Sequence, residues 1–165
     1  MPNQCEKDWT TEVGLRAAVV LIESPHMRRW RCGYVAVPPE HPLFGKSYHE
    51  HCDCLKDARD SAMTGPVGKR GIISFVLAQS ERASPDAVFD VHGSLTFSGG
   101  ALGSVESTGM WWFGFDCNHA DDMDEPEPRS LEWVAAECES LARQLSAVGQ
   151  VEAAAAEQAL ASSGL

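Results

Sequence analysis

The sequence is short of positive charge: 13 Lys and Arg stand against 24 Asp and Glu in 165 residues, a formal net charge of −11. That deficit argues against direct binding to DNA, RNA or anionic lipid, which release counterions only to a basic surface. Long apolar runs are missing too. The longest, residues 17–22, is strand-length and far below the ~20 residues of a membrane span. The opening Met1-Pro2-Asn3-Gln4-Cys5-Glu6-Lys7-Asp8 has neither the basic start nor the apolar segment of a secretion signal. A cytoplasmic setting, with reduced thiols, is therefore the expectation for the six cysteines. No G-x-S-x-G, G-x-x-x-x-G-K-[ST], G-x-G-x-x-G or C-x-x-C is present, and no internal repeat. These absences remove the nucleophile-elbow, P-loop, dinucleotide-fold and paired-cysteine zinc readings.

What is present suits one globular core. Hydrophobic residues make up 44% and charged residues 22%, ordinary globular usage. Residues 11–22 alternate through Val13, Leu15, Ala17, Val19 and Leu21 and read as a strand stopped by Ser24-Pro25. Residues 30–37 read as a second strand, stopped by Pro38-Pro39, with a turn-rich loop over 41–48. The polar stretch 49–70 suits a short helix or insertion loop, and 72–77 an apolar strand. Residues 87–98 alternate cleanly, with Phe89, Val91, Gly93, Leu95 and Phe97 on one face and Asp90, His92, Ser94, Thr96 and Ser98 on the other. In the strand 110–117, Trp111, Phe113, Phe115 and Cys117 share the inward face, leaving Trp112 and Asp116 opposite.

Ser130 caps an amphipathic helix whose Leu131, Val134, Ala135, Cys138, Leu141, Ala142 and Leu145 keep helical spacing, with Glu139 set to pair with Arg143. Gly149 is expected to break it, so residues 1–148 form the domain and 149–165 an Ala-rich tail, helical or flexible. The fold class expected is α+β: a twisted antiparallel sheet with the C-terminal helix packed on one face. The tail offers a homodimer contact.

If the strands holding His92 and Asp116 are neighbours, their outward groups form one polar surface: Asp90, His92, Trp112 and Asp116, with His119 and Asp122 at the rim. An aromatic face beside His and Asp suits a planar, polar or nucleotide-like ligand. Asp116-x-x-His119-x-x-Asp122 also has the donors for a metal, or for a His base oriented by a carboxylate. His49, His51, Cys52 and Cys54 crowd soft ligands into one stretch, but a structural zinc site draws pairs from separated segments. Whether that stretch holds metal stays open at this point, and no metal is assigned to the main surface.

Three segments carry a resemblance: Cys32-Gly33-Tyr34-Val35-Ala36-Val37-Pro38 with His41-Pro42-Leu43-Phe44-Gly45-Lys46; Val91-His92-Gly93-Ser94-Leu95-Thr96-Phe97-Ser98-Gly99; and the Trp111-Trp112-Phe113-Gly114-Phe115-Asp116-Cys117-Asn118-His119 run with Asp122. Over residues 30–146 the chain resembles a family of small proteins encoded by tailed bacteriophages and prophages. Ser94 stands where the resemblance leads one to expect a second glycine. The resemblance implies a context, the cytoplasm of a bacterial host, and an accessory or anti-defence role, without an activity.

Three functions follow in order of preference. First is a non-enzymatic binder holding a small polar or nucleotide-like ligand, or a host defence component, at Asp90, His92, Trp112, Asp116, His119 and Asp122. Second is an acidic inhibitor of the anti-CRISPR type, docking on a basic nucleic-acid-binding effector and helped by the acids at 121–125. Third is a metal-assisted hydrolase using Asp116, His119 and Asp122.

Overall fold

In the computed structural model, which describes residues 3–66, 68, 69, 71, 76, 79, 81–106 and 109–164, an antiparallel sheet is covered on one face by a long helix. The strands are β1 (Gln4–Thr10), β2 (Arg16–Ser24), β3 (Met27–Val37), β4 (Phe97–Gly99) and β5 (Trp111–Asp116), in the spatial order β1-β2-β3-β5-β4. A 3-10 turn (Asp53–Leu55) runs into α1 (Lys56–Thr64). Two single turns follow, α2 (Pro85–Val88) and α3 (Ala120–Met123), then α4 (Leu131–Ser163). The expected α+β class, antiparallel sheet and C-terminal helix are all present.

The two sheet faces differ. Val19, Val35, Val37, Phe113 and Phe115 point toward Val134, Cys138, Leu141 and Leu145 of α4 and form the main core. Gly33 makes room for this packing, since a Cβ there would lie 2.4 Å from the Phe115 ring. The other face carries a smaller cluster, Ala18, Val20, Ala36 and Trp112, roofed by Leu102 and Val105.

Several local expectations fail, each for a visible reason. The strand expected at 11–22 begins only at Arg16, because Thr11 closes a turn: its amide and its hydroxyl both donate to the Leu15 carbonyl, at 2.7 and 2.8 Å, while Gly14 takes φ +84°. Its neighbour β1 lacks alternation strong enough to announce itself. The alternating stretch 87–98 is a strand only at Phe97–Gly99. Pro85 starts a helical turn, and Gly93 and Ser94 adopt φ +65° and +77°, which turn the chain out of any extended ladder. The 72–77 run falls largely outside the described residues.

On α4 the expected cap forms, Ser130 Oγ accepting from the Trp133 amide at 3.2 Å. Glu139, expected to pair with Arg143, instead accepts from Trp9 Nε1 (2.8 Å) and the Glu12 amide (3.1 Å), and Arg143 faces Glu12 at 3.8 Å. Nor does Gly149 end the helix. It sits where α4 crosses His41, whose ring would lie 3.1 Å from an added Cβ, so this glycine serves a close approach within an unbroken helix. From Val151 onward the described residues of α4 are exposed. No described helix is long and apolar enough to cross a membrane.

Candidate metal centre

Beyond the end of β5, the Cys117 amide donates to the Arg31 carbonyl at 3.0 Å and the chain turns into α3. His119 caps that turn, and its amide donates to Asp122 Oδ2 at 3.1 Å. The short i, i+3 loop between His119 and Asp122 thus sets carboxylate and imidazole side by side. Arg31 fixes the following segment from β3, donating to the Arg129 carbonyl (2.7 Å) while its guanidinium pairs with Glu6 (2.6 Å). Arg129 in turn donates through Nε to Asp122 Oδ1 at 2.9 Å.

His92 arrives from the other side, on the turn after α2. Its amide donates to Glu137 Oε2 at 3.1 Å, and Lys69 Nζ donates to Glu137 Oε1 at 2.7 Å. This buried glutamate on α4 therefore fixes the backbone that carries the histidine. The His92 ring meets Trp133 edge-on (5.2 Å between centroids, 88°), and Arg129 lies over Trp133 at 4.9 Å. Asp122 Oδ2 accepts from His92 Nε2 at 2.8 Å, and His119 Nδ1 is 3.3 Å from the same oxygen.

Burial pushes the Asp122 carboxyl up, but hydrogen bonds from His92, Arg129 and the His119 amide outweigh it and hold the group at about 2. A carboxylate charged at neutral pH, 5% exposed, is thus aimed at two imidazoles, of which His119 is 29% exposed and opens to solvent. Among the described residues, His92, His119 and Asp122 are the group of three metal-ligating side chains whose donor atoms lie within 4.8 Å of one another.

Gly93 is required here. Its φ of +65° suits glycine, and a Cβ would fall 2.0 Å from the His119 ring, which packs directly on this backbone. Ser94 carries the same left-handed strain without that freedom, and its hydroxyl donates to the Asp86 carbonyl at 2.8 Å.

Of the six residues expected to line one surface, His92, His119 and Asp122 converge. Asp116 is a near neighbour, with Oδ1 3.9 Å from His119 Nε2. The route differs from the one expected: His92 and Asp116 do not face each other from adjacent strands, because the His92 segment is a turn. Asp90 is held elsewhere, accepting from the Lys69 amide (2.6 Å), with its own amide donating to Gln144 (2.8 Å).

Trp112 does not face a ligand. It is fully buried on the sheet face away from α4, with Arg16 above its ring at 5.6 Å. Trp111, expected in the core, is half-buried at its edge and donates to the Lys46 carbonyl at 2.9 Å. The alternation was read correctly; both sheet faces are covered at this point, so the "outward" side chain is the more deeply buried one.

The soft-ligand stretch 49–54 does not converge. His51 is turned to the Ala83 amide (3.1 Å) and Asp53 (3.3 Å), His49 lies 3.6 Å from Asp86, and Cys52 is buried in the core. Burial pushes the Cys52 thiol up to about 11 and raises Cys117 as well, so neither is poised as a thiolate.

Sequence reasoning missed Arg129, Trp133, Glu137 and Lys69. Only Glu137 left a trace: it falls three residues after Val134 and four before Leu141, an acid on a buried stripe. Comparison with known proteins finds no matching family model, no matching curated protein and no matching solved structure.

Proposed function

We propose that this chain holds a divalent cation of the zinc class between His92, His119 and Asp122 and uses it for metal-assisted hydrolysis. One observation carries the reading: three donors of the right chemistry converge, two buried and one open to solvent. Tetrahedral ligands at bond lengths of about 2.0–2.1 Å stand about 3.3 Å apart. The separations of 2.8 and 3.3 Å around Asp122 Oδ2 need only a small opening to reach that. Three protein ligands plus a free position is the pattern of a catalytic site, where the ion acts as a Lewis acid on a ligand or water.

The protein's own groups supply the rest. Arg129 holds the second oxygen of Asp122, Glu137 fixes the His92 backbone, and Asp116 stands beside the remaining nitrogen of His119 as an orienting carboxylate. This set overlaps the expected Asp116, His119 and Asp122, with His92 taking the place of Asp116 as a ligand. Of the acidic run invoked for the inhibitor reading, Asp122 is buried and committed to this network, while Asp121, Asp124 and Glu125 stay exposed. Taken with the resemblance to phage-encoded proteins, the proposed setting is a bacterial host, acting on a small ester or phosphoester of host or defence origin.

Elemental analysis of protein purified with zinc or cobalt should give about one ion per chain. Cobalt-loaded protein should show the absorption of a low-coordinate site, lost in Asp122→Asn. Chelator should abolish turnover of aryl ester and phosphodiester probes. Absence of ion uptake at micromolar metal would overturn the metal centre, and uptake without turnover would overturn hydrolysis.

A further inference from the structure

The sheet face opposite α4 is roofed only in part. Past Trp112, the side chains of Ile22, Trp30, Cys32, Tyr34, Phe97 and Asp116 line an open cup of about 280 Å³. That volume is close to the lower bound of about 300 Å³ for small-molecule sites. The strand register builds it. Tyr34 pairs with Gly114, and so does Phe97 from the other side. A Cβ on Gly114 would lie 2.4 Å from the Tyr34 ring, so the ring rests on bare backbone there. Phe97 meets Tyr34 edge-on at 5.4 Å and 89°. Cys32 pairs with Asp116, bringing the carboxylate to the same end of the cup as Trp30.

Among the described residues, no lysine, arginine or histidine lines this cup. Its charge is the Asp116 carboxylate, whose oxygens already accept from the Asn118 amide (3.1 Å) and the Thr96 hydroxyl (3.0 Å). What it offers is aromatic side chains and a negative charge, the carboxylate's directional bonding being partly used by Asn118 and Thr96 and one oxygen standing 3.9 Å from His119. A phosphate-bearing ligand would find no cation here. A quaternary ammonium requires aromatic surface and a negative charge and has no N–H to donate.

We propose that the Trp30–Tyr34–Phe97–Asp116 cup is a binding site for a small quaternary ammonium compound. It adjoins the metal centre through Asp116, one oxygen of which stands 3.9 Å from His119, but binding there does not require a bound ion.

Titration calorimetry with choline and with its neutral isostere 3,3-dimethylbutan-1-ol tests the assignment. Excess chelator in both arms makes the outcome independent of bound metal. Choline should bind, the isostere about tenfold or more weaker. Asp116→Asn, which keeps the shape, should weaken choline by a similar factor, and Trp30→Leu likewise, with circular dichroism confirming that both variants fold. Equal binding of choline and isostere would reduce the site to an apolar cup and overturn the proposal. So would no binding on the order of 10 mM choline, or an Asp116→Asn variant that binds as the parent does.

Discussion

Side chains at the centre are held by backbone that few other residues could supply. Gly93 and Ser94 both sit in the left-handed region, but only one is glycine. Ser94→Gly relieves strain worth about 1–2 kcal/mol while losing the hydroxyl bond to Asp86. Ser94→Ala loses the same bond and keeps the strain. The alanine variant should therefore unfold at lower denaturant than the glycine variant. Gly45 offers a control for Gly93: it has φ +77° with open space around its Cβ position. Gly45→Ala should cost only the backbone term, about 1–2 kcal/mol, and leave metal uptake intact. Gly93→Ala should also displace the His119 ring and lower metal stoichiometry.

Trp112 is tested in the opposite sense. Its full burial predicts a loss of about 3–5 kcal/mol for Trp112→Ala, read in chemical denaturation. A nearly neutral result would indicate a surface ligand residue instead. Its indole Nε1 is buried without a hydrogen-bond partner in the described structure, a cost of about 1–3 kcal/mol that the surrounding packing offsets.

At the level of elements, legibility followed how much of the folding information was local. The spacing from Leu131 to Leu145 and the Ser130 cap are written in consecutive residues, and that stretch of α4 is a helix as expected, though it runs on past Gly149. β1 is specified by its partners, through Trp9 to Glu139 and Asp8 to Arg16, and left no pattern of its own. The His92 segment imitated a strand because apolar and polar residues alternate along the turn, although its polar members His92 and Ser94 are buried as well. The site was legible in composition, since His92, His119 and Asp122 were all singled out. It was illegible in assembly, since Arg129, Glu137 and Lys69 reach it only through tertiary contacts.

The junction of α4 with the 41–46 loop carries a pH dependence. The His41 ring accepts from the Leu43 amide at Nδ1 (3.1 Å) and reaches the Leu145 carbonyl through Nε2 (2.8 Å). Burial lowers its pKa below the ordinary 6.5, against smaller upward effects from the Leu145 carbonyl and Glu40. The folded state thus prefers the neutral ring. Its contribution is complete above the unfolded value and is lost as pH falls through it, where the unfolded chain takes the proton first. Stability should drop more between about pH 7.5 and about pH 5.5 in the parent than in His41→Gln. Equal drops would remove His41 as the cause.

On the scale of the whole molecule, α4 is longer than the sheet it covers. Val148 is buried, whereas Val151 is 64% exposed and Leu160 72%. Deleting residues 152–165 should lower the helical signal and leave the unfolding midpoint unchanged, because the described residues 152–164 are exposed. A large fall in midpoint would mean that the extension is covered in solution, and light scattering would then show a second copy of the chain.

Asp116 closes β5 between the two faces of the sheet, one oxygen toward His119 and the other toward Thr96 at the aromatic cup. With both proposed sites occupied, a carboxylate shared in this way would couple them. Whatever an occupant of the cup does to the affinity for an ion, the ion must do to the occupant by the same factor.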